Sequence, residues 1–366
     1  LARASSERVD SSAHCPVGAI YEKDETAKAW NALKNPDLHC VVQIAPAVRV
    51  AIGEAFDLPP GALMTGQTYT ALRRLGFKSV FDTNFAADVT IMEEAAEFVQ
   101  RFVHGKGSLP LITSCCPAWT DYMEKYAPDF IENFSTCKSP QQMLSALAKT
   151  YYAEKTGLDP KKIFMVSIMP CTAKKHEISR SENMRSTGQQ DTDVVLTTRE
   201  LGYMLKAAGI DFVSLPQSEP DTILGDYSGA GTIFGVTGGV MEAALRTAYH
   251  LVTQEDLLDV KFEAVRGMVG VKEAVIDIRG TPVRIAVAHQ MGNVEQVLEA
   301  IREDRQANRK PRYDFIEVMA CRGGCISGGG QPLGVTDVIR LARTRGVYSD
   351  DERAVHRCSH HNPYVQ

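Results

Sequence analysis

The chain lacks any hydrophobic run long enough to span a bilayer. About 18 uninterrupted apolar residues are needed, and the richest stretch, VVQIAPAVRVAI (41–52), is broken by Gln43, Pro46 and Arg49. No membrane span is therefore expected. The N-terminal LARASSERVDSS lacks the apolar centre of a secretory signal. It opens on Leu rather than Met, as expected of a sequence missing its start or of a processed mature end. A basic excess is also missing: 40 Lys and Arg stand against 45 Asp and Glu, a formal net charge of −5. Nucleic-acid binders carry a basic footprint, so no nucleic-acid partner is expected. No internal repeat or low-complexity tract stands out. Cysteine is too sparse for a disulfide scaffold: nine in 366 residues, an odd number, so at least one thiol has no partner within the chain.

What remains is the composition of a globular protein. Hydrophobic residues make up 44% and charged residues 23%. The length suffices for about two domains of roughly 150 residues each. Short β-rich runs alternate with helical ones. Strands are expected at 40–46, 79–83, 109–114, 162–170, 194–198, 284–290 and 313–320, with helical segments after the first two at AVRVAIGEAF and TIMEEAAEFVQRFV. Such alternation predicts an α/β fold with mainly parallel sheets covered by helices on both faces. Polar SRSENMRSTGQQDTD breaks the apolar pattern near 175–195 and suggests two lobes, about 38–180 and about 190–345.

The nine cysteines are Cys15, Cys40, Cys115, Cys116, Cys137, Cys171, Cys321, Cys325 and Cys358. Cys40, Cys137 and Cys358 read as small buried apolar residues. Cys115, Cys171 and Cys321 each fall just past the C-terminal end of a predicted strand, where open α/β sheets bind ligands. CRGGC (321–325) is a C-x3-C pair followed by ISGGGQP, and its glycines let backbone wrap closely around a bound object. SGAGTIFGVTGGVMEAALR (228–246) reads as another backbone-close loop, leading into a helix. Iron–sulfur cubanes take four thiolates. Structural zinc sites also take four, but usually as two close-spaced pairs. One pair with two distant single contributions favours a cluster held between lobes. Adjacent residues in extended chain point to opposite sides, so Cys115 and Cys116 should divide their roles. One ligates, and the other is a thiol able to exchange protons. On the helical segment, Glu94, Glu97 and Arg101 share one face. By spacing alone that face is a solvated ion-pair face.

TSCCPAW (113–119), IMPCTAKKHE (168–177) and EVMACRGGCISGGGQP (317–332) resemble, in family order, the three active-site segments of [FeFe]-hydrogenases. The segments 81–98, 135–143, 194–201 and 231–249 resemble the family as well, and the likeness runs from about residue 38 to about 362. The resemblance implies two α/β lobes with an H-cluster buried between them. That cofactor is a [4Fe–4S] cubane linked to a two-iron subsite carrying CO, CN⁻ and a bridging dithiolate amine. It implies reversible reduction of protons to H2, with Cys116, Cys171, Cys321 and Cys325 as cubane ligands and Cys325 shared with the two-iron unit. Cys115 is then the proton-exchanging thiol. Lys174 would donate to one cyanide, Pro46 and Ala47 would offer backbone to the other, and Gln141, Met169, Met319 and Phe234 would line the pocket. The implied proton route is Cys115, a water, Glu94, Ser135, Glu97 and Arg101 near the surface.

Implied partners are ferredoxin or another redox carrier, dedicated maturation proteins and a small subunit. HCPVGAIYEK (14–23) resembles the tail of a ferredoxin-like domain. Residues 1–37 therefore read as its remnant with a linker, and accessory [4Fe–4S] clusters belong to a missing N-terminal part. The C-terminus reads as truncated. Cytoplasm is the first expectation for compartment, with periplasm and hydrogenosome also compatible. The rival readings are a non-catalytic hydrogenase-like iron–sulfur protein and an H2-sensing hydrogenase.

Overall fold

The computed structural model describes residues 19, 21–257, 262–264, 268 and 270–366. Cys15 and most of HCPVGAI lie outside the described residues. The strands are β1 (His39–Ile44), β2 (Ser79–Asp82), β3 (Leu111–Ile112), β4 (Ile163–Met169), β5 (Val194–Thr197), β6 (Glu263–Ala264), β7 (Val271–Ile278), β8 (Thr281–His289) and β9 (Phe315–Met319). The main helices are α1 (Thr26–Lys34), α2 (Thr65–Leu75), α3 (Thr83–Phe102), α4 (Pro117–Tyr126), α5 (Pro140–Leu147), α6 (Lys174–Glu177), α7 (Thr198–Ala207), α8 (Gly239–Thr253), α9 (Met291–Gln306) and α10 (Asp337–Arg353). No helix among the described residues is long and apolar enough to cross a membrane.

Two sheets result. The first has the order β2-β1-β4-β5 and is parallel throughout. The second has the order β3-β9-β8-β7-β6. It is mixed: β3, β9 and β8 run parallel, whereas β7 is antiparallel to both β8 and β6. The β7–β8 hairpin was not anticipated from sequence. Its signal is nevertheless present in VKEAVIDIRGTPVRIAVAH. Arg279 (φ 53°) and Gly280 (φ 81°) form a two-residue turn with both φ positive, the geometry whose twist matches paired strands. The helix expected over 47–56 is instead a series of turns followed by a 3-10 helix at Ile52–Phe56. There the Arg49 and Val50 carbonyls accept from Met64 and Gly61, so they serve a returning loop rather than a helix ladder.

Alternate residues of each strand feed opposite cores. In β1, Val42 and Ile44 pack with α1, α2 and α7, and Val41 packs with α5. In β9, Phe315 and Met319 face α3 and α8, and Ile316 and Val318 face α4 and α9. The sheets do not divide at one point of the chain. β3 precedes β4 yet joins the second sheet, and β5, beyond the polar break at 175–195, joins the first.

Helix α3 is the shared wall. Asp82 caps it by accepting from the Asn84 amide (2.9 Å). Phe85 and Ala86 pack toward the first sheet, while Ala87, Ile91, Ala95 and Phe98 pack toward the second. The buried Asp82 carboxylate also receives Arg49 (2.7 Å) and the Tyr69 hydroxyl. This pair anchors the loop that follows β1.

Candidate active site

Three strand ends converge on one cavity between the sheets. It is lined by Cys115 and Cys116 after β3, Cys171 after β4, and Cys321 and Cys325 after β9. Five cysteines that span more than half of the chain thus meet at one place. The crossing of β3 into the second sheet brings the first pair in.

Backbone holds this geometry. Cys116 sits in extended conformation immediately before Pro117, the first residue of α4, where a proline loses no hydrogen bond. Cys115 packs against the core of α3 and α8, and Cys116 against that of α4 and α9. The adjacent thiols therefore face different sides, as the extended-chain argument requires. Gly324 has φ of 99°, and a Cβ there would come within 2.6 Å of the Thr237 amide. A Cβ on Gly328 would come within 2.2 Å of the Pro170 carbonyl. The CRGGC loop and the ISGGG segment after it can therefore lie directly on their neighbours only because those positions are glycine. Gly330 donates to Pro170 (2.9 Å), and Gln331 Nε2 to the Ala47 carbonyl (2.8 Å). Arg343 donates to the Ile326 carbonyl and forms a two-point ion pair with Glu54 (both 2.7 Å).

The rest of the lining is largely apolar. Pro46, Ala47, Gln141, Met169, Lys174, Phe234 and Met319 all contribute to it. Burial pushes the thiol of Cys171 up to about 11 and that of Cys325 to about 12. Burial likewise drives Cys115 upward, with the Glu94 charge adding and Lys174 opposing. Buried thiols resist ionising alone, whereas a bound metal releases their protons. The donor set is thiolate, comes from separated strand ends and is lined by apolar side chains. Gln141 Oε1 is buried there without a hydrogen-bond partner. These residues fit an iron–sulfur group better than the close-spaced pairs typical of structural zinc.

Residues 38–329 match the family described as iron-only hydrogenase large subunit, C-terminal domain. The chain belongs to that family. It is 49% identical to the NADP-reducing hydrogenase subunit HndD of Solidesulfovibrio fructosivorans and 46% identical to iron hydrogenase 1 of Clostridium pasteurianum. The alignments take in 96% and 95% of this chain, which spans 60% of the length of each relative. The solved structure of apo [FeFe]-hydrogenase HydA1 from Chlamydomonas reinhardtii superposes with a TM-score of 0.82 at 41% identity, covering 94% of this chain and 93% of that one. Similarity to the cytosolic iron-sulfur assembly component 3 of Mus musculus is lower, 33% over 80% of this chain.

Within this family fold, the charged face of α3 is not a solvated one. Glu94 is 2% exposed, and burial pushes its carboxyl up to about 7, with Ser135 opposing and Glu97 and Glu317 adding. The Ser135 hydroxyl donates to Glu97 (3.1 Å) and lies close enough to Glu94 to act on its carboxyl. Glu97 is half-buried and pairs with Arg101 (2.6 Å). Arg101, expected near the surface, is instead 7% exposed, and the carbonyls of Ser108, Glu132 and Phe134 hold it there. Cys40 and Cys358 are buried, as expected of small apolar residues. Cys137 is half-buried beside the row, and its amide donates to Ser135 (3.3 Å).

Sequence reasoning missed Glu177. Its carboxylate takes two contacts from Lys174 (2.9 and 3.0 Å) and one each from Gln141 (2.8 Å) and Ser139 (3.0 Å). Burial works against the Lys174 ammonium, but Glu177 outweighs it and holds the pKa above its ordinary value. Lys174 also donates to the Cys115 carbonyl (3.0 Å). The signal was the i,i+3 spacing within KKHE. Glu317 was missed as well. It accepts from the Gly238 and Met241 amides at the start of α8 (both 2.7 Å).

Proposed function

We propose that the chain catalyses the reversible reduction of protons to H2 at an H-cluster held in this cavity. The observation that carries the reading is the convergence of five cysteines and a buried, carboxylate-oriented lysine on one apolar cavity. When bound, the H-cluster supplies the iron at which electrons and protons combine.

Cys116, Cys171, Cys321 and Cys325 would hold the cubane, with Cys325 shared with the two-iron unit. Lys174, fixed by Glu177, presents an ammonium to an anionic ligand. Pro46 and Ala47 sit in a loop anchored by Arg49 and Gln331 and offer backbone on the opposite side. Gln141, Met169, Met319 and Phe234 shape the walls and keep the site dry. Cys115 carries a proton at its sulfur, and Glu94 exchanges it with the Ser135 hydroxyl, which donates onward to Glu97. A carboxyl near pH 7 both accepts and releases protons at neutral pH, which is what a relay needs. Arg101 positions Glu97 rather than passing protons itself. A non-catalytic cluster carrier needs neither a free thiol at Cys115 nor a buried relay carboxyl. Electrons would come from ferredoxin or a similar carrier, and dedicated maturation proteins would insert the two-iron unit.

Co-expression with those maturation proteins, followed by H2 evolution from a reduced dye, tests the proposal. Infrared bands from bound CO and CN⁻ together with H2 evolution are expected. Incorporated iron without those bands and without H2 would overturn it.

A further inference from the structure

Among the described residues, one cluster of metal-ligating side chains lies away from the cysteine cavity. His250 sits in the last turn of α8, Asp256 in the loop that follows, and His360 and His361 in the 3-10 turn Ser359–His361 near the C-terminus. One donor atom from each lies within 4.8 Å of the others. Asp256 Oδ1 is 3.4 Å from His250 Nδ1, 3.0 Å from His360 Nε2 and 3.3 Å from His361 Nε2. A tetrahedral ion bound at about 2.0–2.1 Å sets its ligand atoms about 3.3 Å apart. The three measured separations bracket that value.

Two further features point to a cation. His250 Nδ1 is sheltered from solvent and makes no hydrogen bond. The Nδ1 of His360 lies 3.1 Å from the buried Thr247 hydroxyl. With Nδ1–H donated to that hydroxyl, Nε2, 3.0 Å from Asp256 Oδ1, turns its lone pair toward the cluster, and such an outer hydrogen bond typically orients a ligating histidine. Without an ion, Asp256 accepts from a neutral His360 ring, and pairing the other two rings with it as cations would place like charges face to face, because the His250 and His360 rings stack with centroids 4.1 Å apart and the His360 and His361 centroids are 4.4 Å apart. A single shared cation satisfies all four groups without that repulsion.

We propose that His250, Asp256, His360 and His361 bind one divalent transition-metal ion of the zinc class. Three imidazoles and a carboxylate suit zinc and its neighbours rather than magnesium or calcium, which favour all-oxygen shells. The ion would clip the C-terminal turn to the end of α8. The same turn reaches α3, where Ser359 Oγ (2.7 Å) and Asn362 Nδ2 (3.0 Å) donate to the buried Asp88, six residues before Glu94. The clip thus closes a strap across the helix that carries the relay row.

The test is zinc titration of the iron-loaded protein against a competing chromophoric chelator, with zinc and iron counted by elemental analysis. Wild-type protein should take up one zinc per chain without losing iron, and zinc should raise its melting temperature. His361→Ala should weaken zinc binding at least tenfold, and Asp256→Asn with His361→Ala at least about a hundredfold, abolishing the melting shift. Both side chains are about 40% exposed, so the variants should fold, and unchanged iron content and zinc-free melting verify it. No saturable zinc in the wild type, or equal zinc uptake by the double variant, overturns the proposal. The outcome is independent of H2 turnover.

Discussion

The cysteine cavity and the histidine cluster are both places where ligating side chains meet, and they are built in opposite ways. The cavity draws residues 115 to 325 onto the ends of strands in two sheets. Its loops are fixed by contacts to neighbouring backbone: Gly324 against Thr237, Gly328 against Pro170 and the Gln331 side chain on the Ala47 carbonyl. The histidine cluster draws on two short segments at the protein's edge and depends on side-chain rotamers, with His361 and Asp256 each about 40% exposed. Ligands held by sheet ends keep their geometry before anything binds. Ligands held by rotamers on a turn gain much of theirs from the ion. The cavity should therefore answer substitution with loss of chemistry, and the cluster with a graded loss of affinity.

The sharpest way to break that contrast is Cys115→Ala. Turnover should fall at least about a thousandfold, within the range for losing a proton-transfer group, while iron content stays at the wild-type level. Dye-linked H2 evolution beside an iron assay measures both, and near-normal turnover would remove Cys115 from the proton route.

Glu94→Gln should lower turnover by about a hundredfold and also change how stability depends on pH. Burial raises the Glu94 carboxyl from 4.5 to about 7. Between those values the unfolded chain gives up its proton before the folded one does. The residue therefore costs stability progressively as pH rises from 4.5 to about 7, by about 3 kcal/mol at most. Denaturant melts at pH 5 and pH 8 should show that loss in the wild type and a smaller one in the variant. An equal slope in both would mean that Glu94 is not the raised carboxyl.

Gly324→Ala should be the mildest in chemical terms, since it removes no functional group. It forces a left-handed alanine against the Thr237 amide, costs about 2–4 kcal/mol and should lower the iron bound per chain. Thermal melts with iron analysis decide it. If all three variants bind zinc as the wild type does, the two sites are energetically separate.

Much of the cavity was legible because its chemistry is concentrated in short motifs. Cysteines next to glycines and strand ends are rare enough to stand out, and the cavity lining includes all seven residues expected around the cofactor. The histidine cluster was not legible. Its two segments sit more than a hundred positions apart at ordinary spacings, and nothing local marks them. The β7–β8 hairpin was legible in its alternation and Arg-Gly turn but was passed over. The 47–56 segment misled because its apolar spacing suits a helix, while tertiary contacts of Arg49 and Val50 claim its carbonyls.

The sequence by itself determined the ligand types, the order of the motifs and the alternation of strand and helix, because thiol chemistry, glycine freedom and apolar periodicity are local properties. The tertiary structure alone decided which strands share a sheet, that the charged face of α3 turns inward, and that Glu177 rather than solvent holds Lys174. Those outcomes depend on burial and on partners distant in the chain. The same burial that moves Glu94 to about 7 is a property of the packed interior, and no spacing of residues encodes it.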